Sequence, residues 1–236
     1  MGEARILRPD IVFGGRKYAI AIDGPAGSGK STVAKALSKK LGILYVDTGA
    51  MYRGVAYHCI KNGKDPKNEK EVVSVLDGMD MGVTAMDGEQ RVILGGVDVT
   101  GEIRNKEVGQ GASDVAVFLP VREKLVEIQR GIAAARSVVM DGRDIGTHVL
   151  PDAEYKIYLT AHIDERARRR FEEYQASGLS ADFDGVREEL SARDKNDMER
   201  KHNPLRKAPD AFEIDSTSLD VGETVQAVLK FMLSME

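Results

Sequence analysis

The stretch GPAGSGKS at residues 24–31 has the G-x-x-x-x-G-K-[ST] spacing that seats phosphate. Gly24, Gly27 and Gly29 let the backbone curl so that successive N–H groups point inward at phosphate oxygens. Lys30 brings a positive charge for the β- and γ-phosphates, and Ser31 brings a hydroxyl for Mg²⁺. Pro25, Ala26, Ser28 and Thr32 complete the run expected to touch the triphosphate. The apolar stretch AIAID precedes the loop and a helical pattern follows it, so the positive end of that helix adds to the pull on an anion. A chance glycine-rich turn would lack these flanking elements. The segment predicts a nucleoside triphosphate site.

The motif alone serves many chemistries, and the other residues narrow them. A GTPase carries a base-reading N-K-x-D after a later strand; KNDM at 195–198 has neither its order nor its spacing. A compact kinase must hold two polyanions end to end, which demands cations besides Lys30. Arginine suits this because its planar fork binds phosphate bidentately and stays charged away from water. Arg53 follows DTGAMY, and Arg143 lies in DGRD, each just past an apolar run. Arg166, Arg169, Arg170, Arg193 and Arg200 sit in a charged stretch at 164–200. A hinged lid could carry some of them onto phosphates, although such a charge run is also what a solvated helix face looks like.

The elements that must position these groups are legible as short β-branched runs. YAIAID (18–23), ILYVD (43–47), SVVMD (137–141), YKIYLTA (155–161) and AFEIDST (211–217) read as strands of a parallel sheet. Between the first two, Val33, Ala34, Leu37 and Leu41 recur at helical spacing, giving a βαβ unit and an α/β fold with helices on both faces. Asp23, Asp47, Asp141 and Asp215 close four of the runs, at the strand ends where open α/β sheets place their ligand crevice. Residues 80–104 break the pattern. Asp87-Gly88 and Gly95-Gly96 are hairpin signals, so this stretch reads as a small antiparallel insertion, flanked by helices at 68–78 and 105–135.

The chain has 236 residues, is 42% hydrophobic and 31% charged, and carries a net charge of −4. That fits one soluble domain with a sizeable core and argues against a broad nucleic-acid footprint, as does the absence of tryptophan. Cys59 is the only cysteine, flanked by apolar residues, and reads as a buried core thiol of a cytoplasmic protein. The histidines are too scattered for a metal site. No apolar run reaches membrane-spanning length, and residues 1–17 read as an extension before a kinase domain at 18–236.

AIDGPAGSGKST (21–32), DTGAMYR (47–53), GEIRNKEV (101–108) and DGRDIGT (141–147) together resemble bacterial-type cytidylate kinases. RDKND (193–197) with Arg200, and DST (215–217), extend the likeness from about residue 18 onward. The resemblance implies a P-loop nucleoside monophosphate kinase fold: a five-stranded parallel core, a helical lid (164–200), and a monophosphate-binding region (48–135) enlarged by a three-stranded insertion. It implies ATP-dependent, Mg²⁺-assisted phosphorylation of CMP or dCMP by a monomeric enzyme acting on small molecules rather than nucleic acid or membrane. By motif, Thr48, Tyr52, Arg53, Arg143, Asp144, Asp197 and Arg200 would face the acceptor, with Tyr52 more wall than ligand. Ser113 and Arg122 would read the cytosine, Asp141 would support Mg²⁺ with Ser31, and Lys30, Arg143, Asp144, Arg193 and Arg200 would form the catalytic set. The competing readings are a P-loop kinase for uridylate, adenylate or a shikimate-like acid, and a non-catalytic ATP-binding regulator.

Overall fold

The computed structural model describes residues 15–86 and 89–235. In chain order the elements are β1 (Ala19–Asp23), α1 (Lys30–Leu41), β2 (Leu44–Asp47), α2 (Thr48–Lys61), α3 (Glu69–Leu76), β3 (Met81–Met86), β4 (Glu89–Leu94) and β5 (Val97–Asp98). There follow α4 (Lys106–Val115), α5 (Leu119–Ala135), β6 (Val138–Gly142), β7 (Tyr155–Thr160), α6 (Ile163–Ala176), α7 (Phe183–Glu199), β8 (Phe212–Asp215) and α8 (Val221–Ser234).

The five β-branched runs form one parallel sheet in the order β2-β6-β1-β7-β8. Alternate residues of its central strands feed opposite cores. Ile20, Ile22 and Val139 pack with Val33, Leu37, Leu41 and Val228 on one face. Ala21, Val138 and Met140 pack with Met51, Val55 and Leu125 on the other. Both faces are thus covered, which is why these strands read as nearly unbroken apolar runs. Cys59 is fully buried in the second core, and burial pushes its thiol up to about 11.

Helix α1 returns β1 to the sheet on the far side of β6, while the chain later enters β7 on the other flank of β1. The strand order therefore reverses around β1, and the phosphate loop leaves its carboxyl end at that switch point. The insertion is a three-stranded antiparallel sheet, β3-β4-β5. Gly95 and Gly96 have φ of 55° and 78°, as a two-residue type I′ hairpin turn requires. The expected Asp87-Gly88 turn lies outside the described residues, as do residues 1–14 of the extension.

One expectation is corrected. The stretch 105–135 is two helices, because the chain turns extended at Phe118 (ψ 125°) and restarts with Pro120 in the first turn of α5. Proline is tolerated there because the first-turn N–H groups lack intrahelical acceptors anyway. The charged stretch at 164–200 is helical with a break at Gly178, as its sequence suggests: α6 and α7 are separated there at φ 70°. No described helix is long and apolar enough to cross a membrane.

Candidate active site

The loop between β1 and α1 has the geometry its glycines predict. Gly24 adopts φ 151°, and a β-carbon there would stand 2.0 Å from the Leu159 carbonyl oxygen on β7. Gly29 occupies the N-cap of α1 at φ 88°, with no side-chain cap and no acidic residue in the first turn. The first N–H groups of α1 are thus left for an anion, aided by the helix dipole. Lys30 is buried, with Nζ donating to the Pro25 carbonyl at 2.5 Å and to Ser28 Oγ at 3.3 Å. Burial, with Arg143 and Arg193 adding to it against an offset from Asp141 and Asp197, drives its ammonium well below the usual lysine range. A polyanion in the loop supplies the countercharge this lysine lacks.

Beside the loop, β2 and β6 bring Asp47 and Asp141 into register. Asp141 Oδ2 accepts from Ser31 Oγ at 2.8 Å and Oδ1 from Tyr45 Oη at 2.9 Å. Burial, then the neighbouring Asp47 charge, raises Asp141 to about 6. The Ser31 hydroxyl and Asp141 carboxylate therefore form an adjacent pair of hard oxygen donors, the ligand type Mg²⁺ prefers. Among the described residues no group of three or more His, Cys, Asp or Glu could hold a metal ion by itself.

Across the cleft runs a chain of alternating charges, Arg122–Asp144–Arg200–Asp197–Arg143. Asp144 is forked between Arg122 Nη2 at 2.5 Å and Arg200 Nη2 at 3.1 Å. Asp197 lies 3.7 Å from Arg200 and accepts from Arg143 Nε at 2.7 Å. Burial pushes Asp197 up, but the Arg143 charge and hydrogen bond hold it below the usual carboxylate range. Arg53 on α2 and Arg193 on α7 make no ion pair among the described residues. Burial and the facing Arg143 charge lower Arg193 to about 10. Lys30, Arg143, Arg53 and Arg193 thus line one open cleft.

That cleft measures about 2940 Å³, well above the roughly 300–1,000 Å³ of a single-ligand pocket. Its walls include the loop from Ala26 to Thr32, Tyr52 and Arg53, Ser113, and Arg143-Asp144. Thr48 is buried at the N-terminus of α2 with its hydroxyl on the Asp141 carbonyl, 2.8 Å away. Tyr52 carries the Arg122 guanidinium 5.7 Å from its ring centre, and burial pushes its phenol up to about 12. Arg122 itself is 1% exposed and bonds Asp144 and the Ala116 carbonyl, so it underlies the wall that Ser113 lines. Among the remaining arginines, Arg169 binds Glu165 and Ser216 at the loop end, and Arg170 binds Glu173 and packs on Tyr174. Arg166 turns inward, to the loop backbone and Asp194.

Sequence reasoning passed over Gln90. From β4 its side-chain amide meets the Asp47 peptide twice: Asp47 N–H donates to Oε1 at 2.5 Å, and Nε2 donates to the Asp47 carbonyl at 3.1 Å. Asp47 also caps α2 through the Ala50 N–H at 2.9 Å. Gln90 thereby ties the insertion to the helix that presents Arg53. Gln90→Ala is expected to cost about 1–2 kcal/mol, because both Asp47 backbone groups lose a buried partner. Urea unfolding checks this, and a loss near zero contradicts it. Asp23, noted only as a strand-end carboxylate, accepts the Ile145 and Gly146 N–H groups at 2.8 and 2.7 Å and so fixes the turn after Arg143-Asp144. No spacing in the sequence announces either contact.

Comparison with known proteins gives the fold and the family. A chain from an uncharacterized protein of Eubacterium ventriosum superposes over 93% of this chain and 99% of its own, with a TM-score of 0.51 at 15% identity, a likeness of fold. The cytidylate kinase of Caldicellulosiruptor bescii is 50% identical over 91% of this chain and 95% of its own length. That of Geobacillus kaustophilus is 48% identical over 92% and 97%. The family model described as cytidylate kinase matches residues 20–234. With a phosphate loop, an acidic strand end and an arginine-rich cleft in one α/β sheet, the chain belongs to the cytidylate kinase family.

Proposed function

We propose that this enzyme transfers the γ-phosphoryl group of ATP to CMP and dCMP, giving CDP or dCDP and ADP. The observation that carries the reading is the convergence of Lys30, Arg53, Arg143 and Arg193 on a cleft large enough for two nucleotides. Donor phosphates lie in the loop from Gly24 to Thr32. Acceptor phosphate meets Arg53 and Arg143, with Thr48 and Tyr52 shaping the seat and Asp144, Asp197 and Arg200 toward the sugar. Ser113, backed by Arg122, faces the pyrimidine edge.

An ionised oxygen of the acceptor phosphate attacks the γ-phosphorus in line, and the β–γ bridging oxygen leaves with ADP. No covalent enzyme intermediate is needed, so the protein contributes position and charge. Lys30 exchanges the Pro25 carbonyl for a phosphate oxygen, and Arg193 and Arg200 offset charge on the group in flight. Magnesium held by Ser31 and Asp141 would neutralise phosphate charge. Helices α6 and α7 act as the lid, and the region 48–135 binds the monophosphate. In this reading the enzyme works as a monomer, and the lone buried thiol suits a cytoplasmic enzyme.

Incubation with γ-labelled ATP and CMP tests this: label should appear in CDP. Label released only as inorganic phosphate would make the protein a hydrolase. Ser113→Ala is expected to reduce the preference for CMP over UMP about tenfold while leaving phosphate binding nearly intact, the cost of one base-reading hydrogen bond. Competition kinetics read the ratio, and an unchanged preference contradicts the role of Ser113.

A further inference from the structure

The peptide of Ala26, inside the phosphate loop, is gripped on both sides by the helix pair at 163–199. Asp194 on α7 accepts the Ala26 N–H through Oδ1 at 2.8 Å. Arg166 on α6 donates from Nη1 to the Ala26 carbonyl at 2.9 Å, and the same nitrogen reaches Asp194 Oδ2 at 2.5 Å. Its Nε is spent on the Ala161 carbonyl just past β7, 2.9 Å away. Both side chains are buried, each in a residue only 7% exposed. They close over a small apolar cluster of Ala26, Ala167, Val186 and Leu190. At the adjacent Gly27 a β-carbon would stand 3.3 Å from Arg166 Cβ, so loop and helix are already in close contact.

A buried ion pair seldom adds net stability over apolar residues of the same volume, so stability alone is a weak reason for this ring. Geometry gives a stronger one. Asp194 follows Arg193 directly, and Asp197 and Arg200 lie one and two turns further along the same chain. Fixing Asp194 on the Ala26 N–H fixes both the height and the rotation of α7 against the loop. Arg193 and the Asp197 carboxylate are then held at set positions over the cleft. Arg166, with Nε and Nη1 already engaged on Ala161, Ala26 and Asp194, is committed to the loop rather than to a ligand.

We propose that Arg166 and Asp194 are positioning residues that clasp the phosphate loop to α7, so that loop-bound phosphates and the Arg193 guanidinium share one register. The binding half needs only a triphosphate in the loop; the kinetic half rests on the phosphoryl-transfer reading above. Asp194→Asn keeps the side-chain shape but loses the charge against Arg166, and Arg166→Lys keeps the charge but loses the fork. Calorimetry with ATP alone should show affinity at least about tenfold weaker in either variant, as the preorganised loop is released. In the intact protein Arg193→Ala should lower kcat about 100-fold, but less than about fivefold in the Asp194→Asn background, because a misplaced arginine has little left to lose.

Thermal melts establish that each variant is folded, and if Asp194→Asn does not fold, Arg166→Lys carries the same cycle. Wild-type ATP affinity in a folded variant, or an undiminished effect of Arg193→Ala in its background, overturns the proposal. If the parent protein binds ATP but phosphorylates no nucleoside monophosphate, the functional reading falls, and the calorimetric arm alone decides the clasp.

Discussion

Replacing Lys30 by alanine is expected to lower kcat for phosphoryl transfer by about 10²–10³-fold, with the fold intact. The size follows from what the residue does: one charge-assisted contact to the transferring group in a site screened from water is worth about 3–4 kcal/mol in the barrier. Stability should not fall with it. The folded protein disfavours the Lys30 ammonium, through burial first and then through Arg143. Removing a charge whose folded-state pKa is depressed takes away an unfavourable interaction at neutral pH, so its loss does not weaken the fold electrostatically. The lost partners are the Pro25 carbonyl and Ser28 Oγ, and these already bond each other at 3.0 Å. Single-turnover kinetics beside a thermal melt separates the two effects. Turnover near wild type, or a collapse of the melt that tracks the lost activity, contradicts the role given to Lys30.

Asp144→Ala should act on both stability and affinity. Asp144 is the carboxylate shared by Arg122 and Arg200, and Arg122 is 1% exposed. Its removal strands buried guanidinium groups, one of which already has an unpaired Nε. Breaking one side of such a buried pairing costs about 3–5 kcal/mol. For a chain of this length that lowers the melting temperature by roughly 6–20 °C. The same change leaves Arg200 held only by the Asn203 carbonyl and Asp197, without its tie to the Asp144 side of the cleft, so the KM for CMP should rise in the fraction that remains folded. Addition of CMP should then restore part of the lost stability by mass action. A loss under about 1 kcal/mol would mean that the guanidinium groups find other acceptors and that the alternating chain is not cooperative.

These two positions differ in how far the sequence announces them. Lys30 is legible because the loop is a local structure: glycines at 24, 27 and 29 and the following helix lie within one short stretch. The strands are legible for the same kind of reason, since burial on both faces leaves continuous β-branched runs such as Val138–Met140. Gly95-Gly96 declares its hairpin through a conformation that few other residues adopt. Asp144 was visible as part of DGRD, but its fork between Arg122 and Arg200 joins residues far apart in the chain. The clasp of Arg166 and Asp194 on Ala26 depends on which faces of α6 and α7 meet, and a charged helix with a weak apolar stripe does not encode that locally. Apolar spacing likewise runs on through 105–135 and hides the break at Phe118, where Pro120 was the available signal. Local conformation was thus readable, and long-range partner choice was not.

The proposed function requires the acceptor half of the cleft to select a cytosine monophosphate. Initial rates of ADP formation from ATP with CMP, dCMP, UMP, AMP, GMP and shikimate, at equal concentration, test it most directly. CMP and dCMP should be phosphorylated fastest, UMP more slowly, and the purine monophosphates and shikimate scarcely at all. Turnover of AMP or shikimate with CMP left untouched would contradict it.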